Sequence, residues 1–74
     1  MKKIIEKLRK EMSISEKHQL VHIKTESKSI HGLDSDFYFF NEIDVTDQII
    51  DRYCVEDSVE KHPPFKNFMR CKKL

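Results

Sequence analysis

The chain has 74 residues, of which 36% are charged and 38% hydrophobic, and its formal net charge is +1. This length allows a single domain, residues 1–74, with one small core. One glycine and two prolines exclude collagen-like and low-complexity classes, and no apolar stretch approaches the roughly 20 residues that span a membrane. Charged residues interrupt the apolar ones near the N-terminus, so the sequence predicts a soluble, cytoplasmic protein without a signal peptide.

The charged residues are segregated along the chain. Residues 33–60 contain nine acidic residues and one basic residue, whereas residues 61–74 contain five basic residues and no acidic one. Residues 1–11 carry five basic residues and two acidic ones. Such blocks bear on solubility and partners more than on fold. Either the acidic and basic segments neutralise each other in the folded state, or the acidic segment forms a surface for a basic partner.

The N-terminal segment has the spacing of an amphipathic helix. Ile4, Ile5, Leu8 and Met12 recur on one face with charged residues between them, which predicts a helix over 2–12. The next segment alternates β-branched and polar residues, which favours a strand over 19–28. A capping box at residues 13–16 is the competing signal for a second helix there.

The middle of the chain has the pattern of a hairpin. Gly32, the only glycine, lies in the segment 30–36, which is rich in polar residues and is predicted to form a turn. Residues 37–45 then alternate as a strand. Phe37 and Phe39 lie with Ile43 and Val45 on an apolar face expected to pack on a helix. Tyr38 and Phe40 share the opposite face with acidic residues and are expected to be exposed.

The C-terminal third favours helices, with strands as the alternative. Thr46 is a suitable N-cap for a helix over 47–60, which would end at Pro63 and Pro64. A strand through residues 52–55 competes with it. Phe65, Phe68 and Met69 have helical spacing after the prolines, although a last strand is also compatible with the pattern.

These elements predict a small α+β domain. The expected order is an N-terminal helix, an antiparallel β-hairpin and one or two C-terminal helices, α-β-β-α-α. The alternative is a helix with a three- or four-stranded antiparallel sheet. A two-stranded hairpin alone is only marginally stable, so the hairpin must pack against helix.

No residue pattern is typical of a catalytic or metal site. His18 and His22 lack further ligands or a companion glutamate, and Cys54 and Cys71 form neither a disulfide framework nor a Cys-x-x-Cys pair. Basic neighbours of Cys71 are expected to lower the pKa of its thiol. We therefore expect a protein that is not an enzyme and that uses no metal or cofactor.

The first functional hypothesis is a small non-enzymatic regulator or inhibitor that binds a larger protein with a basic surface. Small chains of this composition are common in bacteriophages and mobile elements. The expected target is therefore a nucleic-acid-handling or defence protein in the host cytoplasm. Carboxylates would steer association, and exposed aromatic rings would anchor it. The candidate contact residues are Asp34, Asp36, Tyr38, Phe40, Glu42, Asp44, Asp47 and Asp51.

Two alternatives belong to other classes. A nucleic-acid-binding or transcription-regulating protein would use the basic ends, provided that both lie on one face of the fold. Its candidate residues are Lys2, Lys3, Lys7, Arg9, Lys10, Lys66, Arg70, Lys72 and Lys73. The third hypothesis is a homo-oligomeric structural subunit, such as a homodimer, that associates through the aromatic face.

Overall fold

The computed structural model describes residues 2–74 as one helix followed by a four-stranded antiparallel sheet. The helix α1 is Lys2–Met12. The strands are β1 Gln19–Ile30, β2 Leu33–Ile43, β3 Ile49–Glu60 and β4 Asn67–Lys73. The sheet order is β1-β2-β3-β4, so every strand pairs with its neighbour in the chain. The predicted α-β-β-α-α order is therefore wrong in its C-terminal half.

The predicted N-terminal helix is confirmed at Lys2–Met12. Ile4 and Leu8 are buried on its inner side. The helix ends at Ser13, which has a φ of 52°. The guanidinium of Arg9 then donates hydrogen bonds to the carbonyls of Ser15 and His18, at 3.0 and 2.7 Å. These hydrogen bonds hold the loop 13–18 against the end of the helix, and β1 begins at the next residue.

The predicted first hairpin is present, but β1 extends to Ile30 and β2 spans Leu33–Ile43, so the turn predicted over 30–36 is shortened to two residues. His31 and Gly32 connect β1 to β2, and both have positive φ, 50° and 79°, as a type I′ turn requires. The pairing shifts by one residue between His22 and Lys24, which makes a bulge in β1.

Residues 49–60 form a strand, although the sequence predicts a helix there. The segment is rich in β-branched and aromatic residues, and both flanking strands offer hydrogen bonds to it. The side chain of Asp44, not that of Thr46, organises the preceding loop: it accepts hydrogen bonds from the amides of Thr46 and Gln48. Asp47 has a φ of 64°, which a first helical turn does not allow.

The predicted C-terminal helix is also wrong, because residues 67–73 pair with β3. Phe65 has a φ of 53° and lies exposed in the preceding loop. Phe68 and Met69 were expected on one helical face, but strand alternation places them on opposite faces of the sheet.

The helix covers the face of the sheet opposite to the predicted one. The core consists of Ile4, Leu8, Phe40, Tyr53 and Val55. Phe40 is 1% exposed, so its predicted exposure is wrong. Phe37 and Phe39 lie on the other side, half-buried, without a covering helix. We call the two sides the helix-side face and the open face.

Candidate functional site

The alternation of side chains along the strands places most of the acidic strand residues on one face of the sheet and most of the basic ones on the other. The register places five acidic residues on the helix-side face, with one strand cation: Asp34, Asp36, Glu42, Asp51, Asp57 and Lys73. The open face carries five cations and three acids: Lys24, Lys28, Arg52, Arg70, Lys72, Glu26, Glu56 and Glu60. The basic strand β4 therefore pairs with the acidic strand β3, but most of its cations point away from the aspartates.

The helix-side face is only partly covered by α1. The core occupies the part of this face around Phe40 and Tyr53. Two cross-strand rows lie outside the core, nearer the His31–Gly32 turn. Met69 is the one residue of these rows that packs against the core. We define the acidic end as the polar residues of these two rows: Ser27, Ser29, Asp34, Asp36, Asp57 and Asn67.

Asp36 and Asp57 are the centre of the acidic end because they stand directly opposite each other on β2 and β3. The hydroxyl of Ser27 donates to Asp36 at 2.6 Å, and the amide of Asn67 donates to Asp57 at 3.0 Å. Within residues 2–74, neither carboxylate has a lysine or arginine at ion-pair distance. Like charges opposite each other destabilise a sheet, so this pair is expected to lower the stability of the fold.

Tyr38 forms the boundary between the acidic end and the core. Its ring packs against the core and remains partly accessible. Burial raises the pKa of its hydroxyl, and the negative charges of Asp36 and Asp57 raise that pKa further. The neutral hydroxyl therefore stays available as a hydrogen-bond donor beside two carboxylates.

The structure brings together only some of the predicted contact residues. Asp34 and Asp36 lie at the acidic end, with Tyr38 at its boundary, and Lys61 approaches Asp34 at 3.5 Å. Asp44 and Asp47 lie in the β2–β3 loop, and Asp44 is occupied by the hydrogen bonds of that loop.

The other three predicted contact residues are not free to contact a partner. Phe40 is in the core. Asp51 pairs with Lys73 at 3.3 Å. Glu42 is 6% exposed: Oε1 accepts from the Tyr53 hydroxyl at 2.7 Å, and Oε2 lies 2.6 Å from Nδ1 of His18. Burial is the largest influence on the pKa of Glu42 and raises it, but these two hydrogen bonds and the positive charges of His18 and Lys73 together hold that pKa below its ordinary value.

Asp57 is the residue that sequence reasoning missed. On the predicted helix it has no special position. With residues 49–60 as a strand, Asp51, Tyr53, Val55 and Asp57 share one face, and the alternation of Tyr53 and Val55 with polar neighbours is the signal that could have revealed it.

The predicted basic stripe does not form on one face. The cations of α1 lie with the helix on the helix-side face, as does Lys73, whereas Arg70 and Lys72 lie on the open face. Lys66 lies in the loop before β4. The cations of the two chain ends therefore lie on different faces of the sheet, whereas the hypothesis places them on one.

The side chains of His18, His22 and Cys71 interact with neighbouring side chains of the fold. His18 contacts Glu42, whereas Nε2 of His22 lies 2.8 Å from the Thr25 hydroxyl. Among residues 2–74, no group of three or more potential ligands is placed to hold a metal ion. Burial, together with a hydrogen bond to Glu11, raises the pKa of the Cys71 thiol to about 11, so its expected activation by basic neighbours is wrong.

No protein-family model, curated protein or solved structure matches this chain. The helix of the described part, residues 2–74, is too short and too polar to cross a membrane.

Proposed function

We propose that this protein is a small non-enzymatic regulator or inhibitor that docks on a basic surface of a larger protein through its acidic end. The observation that carries the proposal is the cross-strand pair Asp36 and Asp57, whose carboxylates have no cationic partner within residues 2–74. A lysine or arginine from a partner would remove the repulsion between these two carboxylates.

The chemistry of the acidic end suits recognition of a basic surface. Carboxylates raise the rate of encounter with a positively charged partner and fix its orientation. The half-buried Tyr38 offers an aromatic surface and a hydroxyl donor at the inner border of the same patch. A bound target would lose access to the basic surface, including any nucleic acid that this surface holds. The proposed mechanism is therefore steric blocking of the partner's basic surface rather than catalysis.

The test compares two charge-matched double variants. D36N/D57N removes both central carboxylates, whereas E6Q/E16Q removes two exposed ones elsewhere. Tagged proteins are used to capture partners from nuclease-treated host lysate, and the retained protein is then titrated in purified form. We expect wild type and E6Q/E16Q to retain the same partner and D36N/D57N to lose it. Equal retention by all three, or retention of no protein, would contradict the proposal.

The stability of D36N/D57N separates binding from folding. Removing like charges that face each other is expected to leave the free energy of unfolding unchanged or to raise it by about 0.5 kcal/mol. Loss of partner binding by a variant of undiminished stability would then report the surface and not the fold.

A further inference from the structure

The open face combines aromatic rings with cations at short range. Nζ of Lys24 lies 4.9 Å from the centre of the Phe39 ring, and Nζ of Lys28 lies 5.8 Å from that of Phe37. The guanidinium carbon of Arg70 lies 5.1 Å from the centre of the Phe68 ring. Each of these three rings therefore has a positive group over it, on the face of the sheet that α1 does not cover.

Two shallow grooves flank the central rings. One, of about 380 Å³, is lined by Ile23, Phe39 and Arg52, and the other, of about 580 Å³, by Phe37, Cys54 and Lys72. Leu74 lines both. Glu56 also lines the second groove together with Arg70, so the two apolar floors are bordered mainly, not only, by cations. Such grooves suit flat, apolar groups that are attached to negative charge.

The net positive charge of the open face indicates that a molecule bound there is negatively charged. Five cations stand against three acids, so this face has an excess of two positive charges. Glu26 pairs with Lys24 at 3.1 Å, which neutralises one charge of each sign and leaves the excess unchanged. A second copy docked by the same face would bring cations against cations, which costs free energy. A negatively charged occupant would meet the lysines and arginines favourably.

The spacing of the rings favours a single strand of nucleic acid. Phe37 and Phe39 are two residues apart on β2, about 6.6 Å along the strand. This is about twice the 3.4 Å separation of stacked bases, so each ring would receive a separate base of an extended strand. A duplex keeps its bases stacked inside and cannot offer their faces to the rings.

We propose that the open face binds single-stranded nucleic acid. Bases stack on Phe37, Phe39 and Phe68, and phosphates contact the neighbouring cations Lys24, Lys28, Arg70 and Lys72. This proposal is independent of the acidic end because it uses the opposite face of the sheet. It also uses one face of the sheet, in place of the basic stripe that the sequence predicts for the two chain ends.

The test measures the anisotropy of a labelled short oligothymidylate and of the matching oligouridylate. F39L keeps an apolar residue on the open face but removes the stacking surface, and we expect at least about fivefold weaker binding. K24Q/K28Q should reduce the slope of log K against log salt by about 1.4, and K3Q/K10Q, with two exposed lysines of α1 replaced, should leave it unchanged. K24Q/K28Q changes only exposed side chains, so it remains informative if F39L unfolds.

Several outcomes would overturn the proposal. These are failure to bind either oligonucleotide between about 50 and 200 mM salt, equal losses for the two lysine double variants, or tighter binding to the corresponding duplex. Formation of a dimer that F39L abolishes, seen by sedimentation, would assign the face to a second copy instead. D36N/D57N should bind the oligonucleotide at least as well as wild type, which separates this proposal from the function proposed for the acidic end.

Discussion

The imidazole of His62 packs over Gly32, so that a Cβ atom on Gly32 would lie 3.4 Å from Cδ2 of His62. Gly32 also has a φ of 79°, and its carbonyl accepts a hydrogen bond from the amide of Lys61 at 2.7 Å. The β1–β2 turn is therefore held against the loop after β3. A glycine is needed here for its conformation, whereas a Cβ atom would meet His62 at an ordinary van der Waals distance.

Gly32→Ala is expected to lower the free energy of unfolding by about 1–2 kcal/mol, because an L side chain is disfavoured at positive φ. The measurement is urea denaturation. His31→Asn in the same turn is the matched control, since asparagine tolerates the left-handed conformation that His31 adopts at a φ of 50°. A loss of stability in His31→Asn as large as that in Gly32→Ala would contradict this account of the turn.

Tyr53→Phe removes one of the two groups that hydrogen-bond the buried carboxylate of Glu42. We expect a loss of about 2 kcal/mol, since hydrogen bonds to charged groups contribute more than neutral ones. Tyr38→Phe is the control, because that ring is partly accessible and its hydroxyl can reach water. Urea denaturation of both variants measures the difference, and equal effects would show that the carboxylate does not depend on Tyr53.

Acidification should weaken the fold through Glu42. Its pKa in the folded state lies below the ordinary value of 4.5, so its contribution to stability is fully present above that pH and is lost as the pH falls through the folded-state pKa. The free energy of unfolding, measured from about pH 7 to about pH 3, should therefore fall less steeply in Glu42→Gln than in wild type. Parallel curves would contradict the assignment.

Cys71 should react slowly with iodoacetamide. With the pKa of the thiol raised from 9.0 to about 11, its thiolate is about a hundredfold scarcer near neutral pH than that of an unperturbed thiol. Glu11→Gln should speed the reaction, because Glu11 adds to the rise in pKa through a hydrogen bond and its charge. The experiment is done in the Cys54→Ser variant, so that Cys71 carries the only thiol that can react. A rate equal to that of free cysteine would contradict the prediction.

Local patterns were sufficient for the first half of the fold. The spacing of Ile4, Leu8 and Met12 predicts the observed helix, and Gly32 marks the first turn. The second half was ambiguous because Ile49, Ile50, Tyr53 and Cys54 fit a helical stripe as well as a strand. Pairing with β2 and β4 decides between them, and this pairing involves residues distant in the sequence.

The candidate surfaces were harder to predict than the elements. Both faces of β2 carry aromatic residues, so β2 alone does not show which face α1 covers. The cross-strand neighbours decide: Phe40 lies opposite Tyr53, whereas Phe39 lies opposite Cys54 and Lys24. The same register forms the acidic end, because it pairs Asp36 with Asp57 of β3, a residue that the sequence assigns to a helix.

The connections between the strands have a consequence for the order in which structure forms. Two residues link β1 to β2, five link β2 to β3 and six link β3 to β4. Closing such short loops costs little chain entropy, and native contacts that are local in sequence are associated with rapid folding. The sheet can therefore grow one hairpin at a time, and docking of α1 beside β4 is the step that joins the most distant parts of the chain.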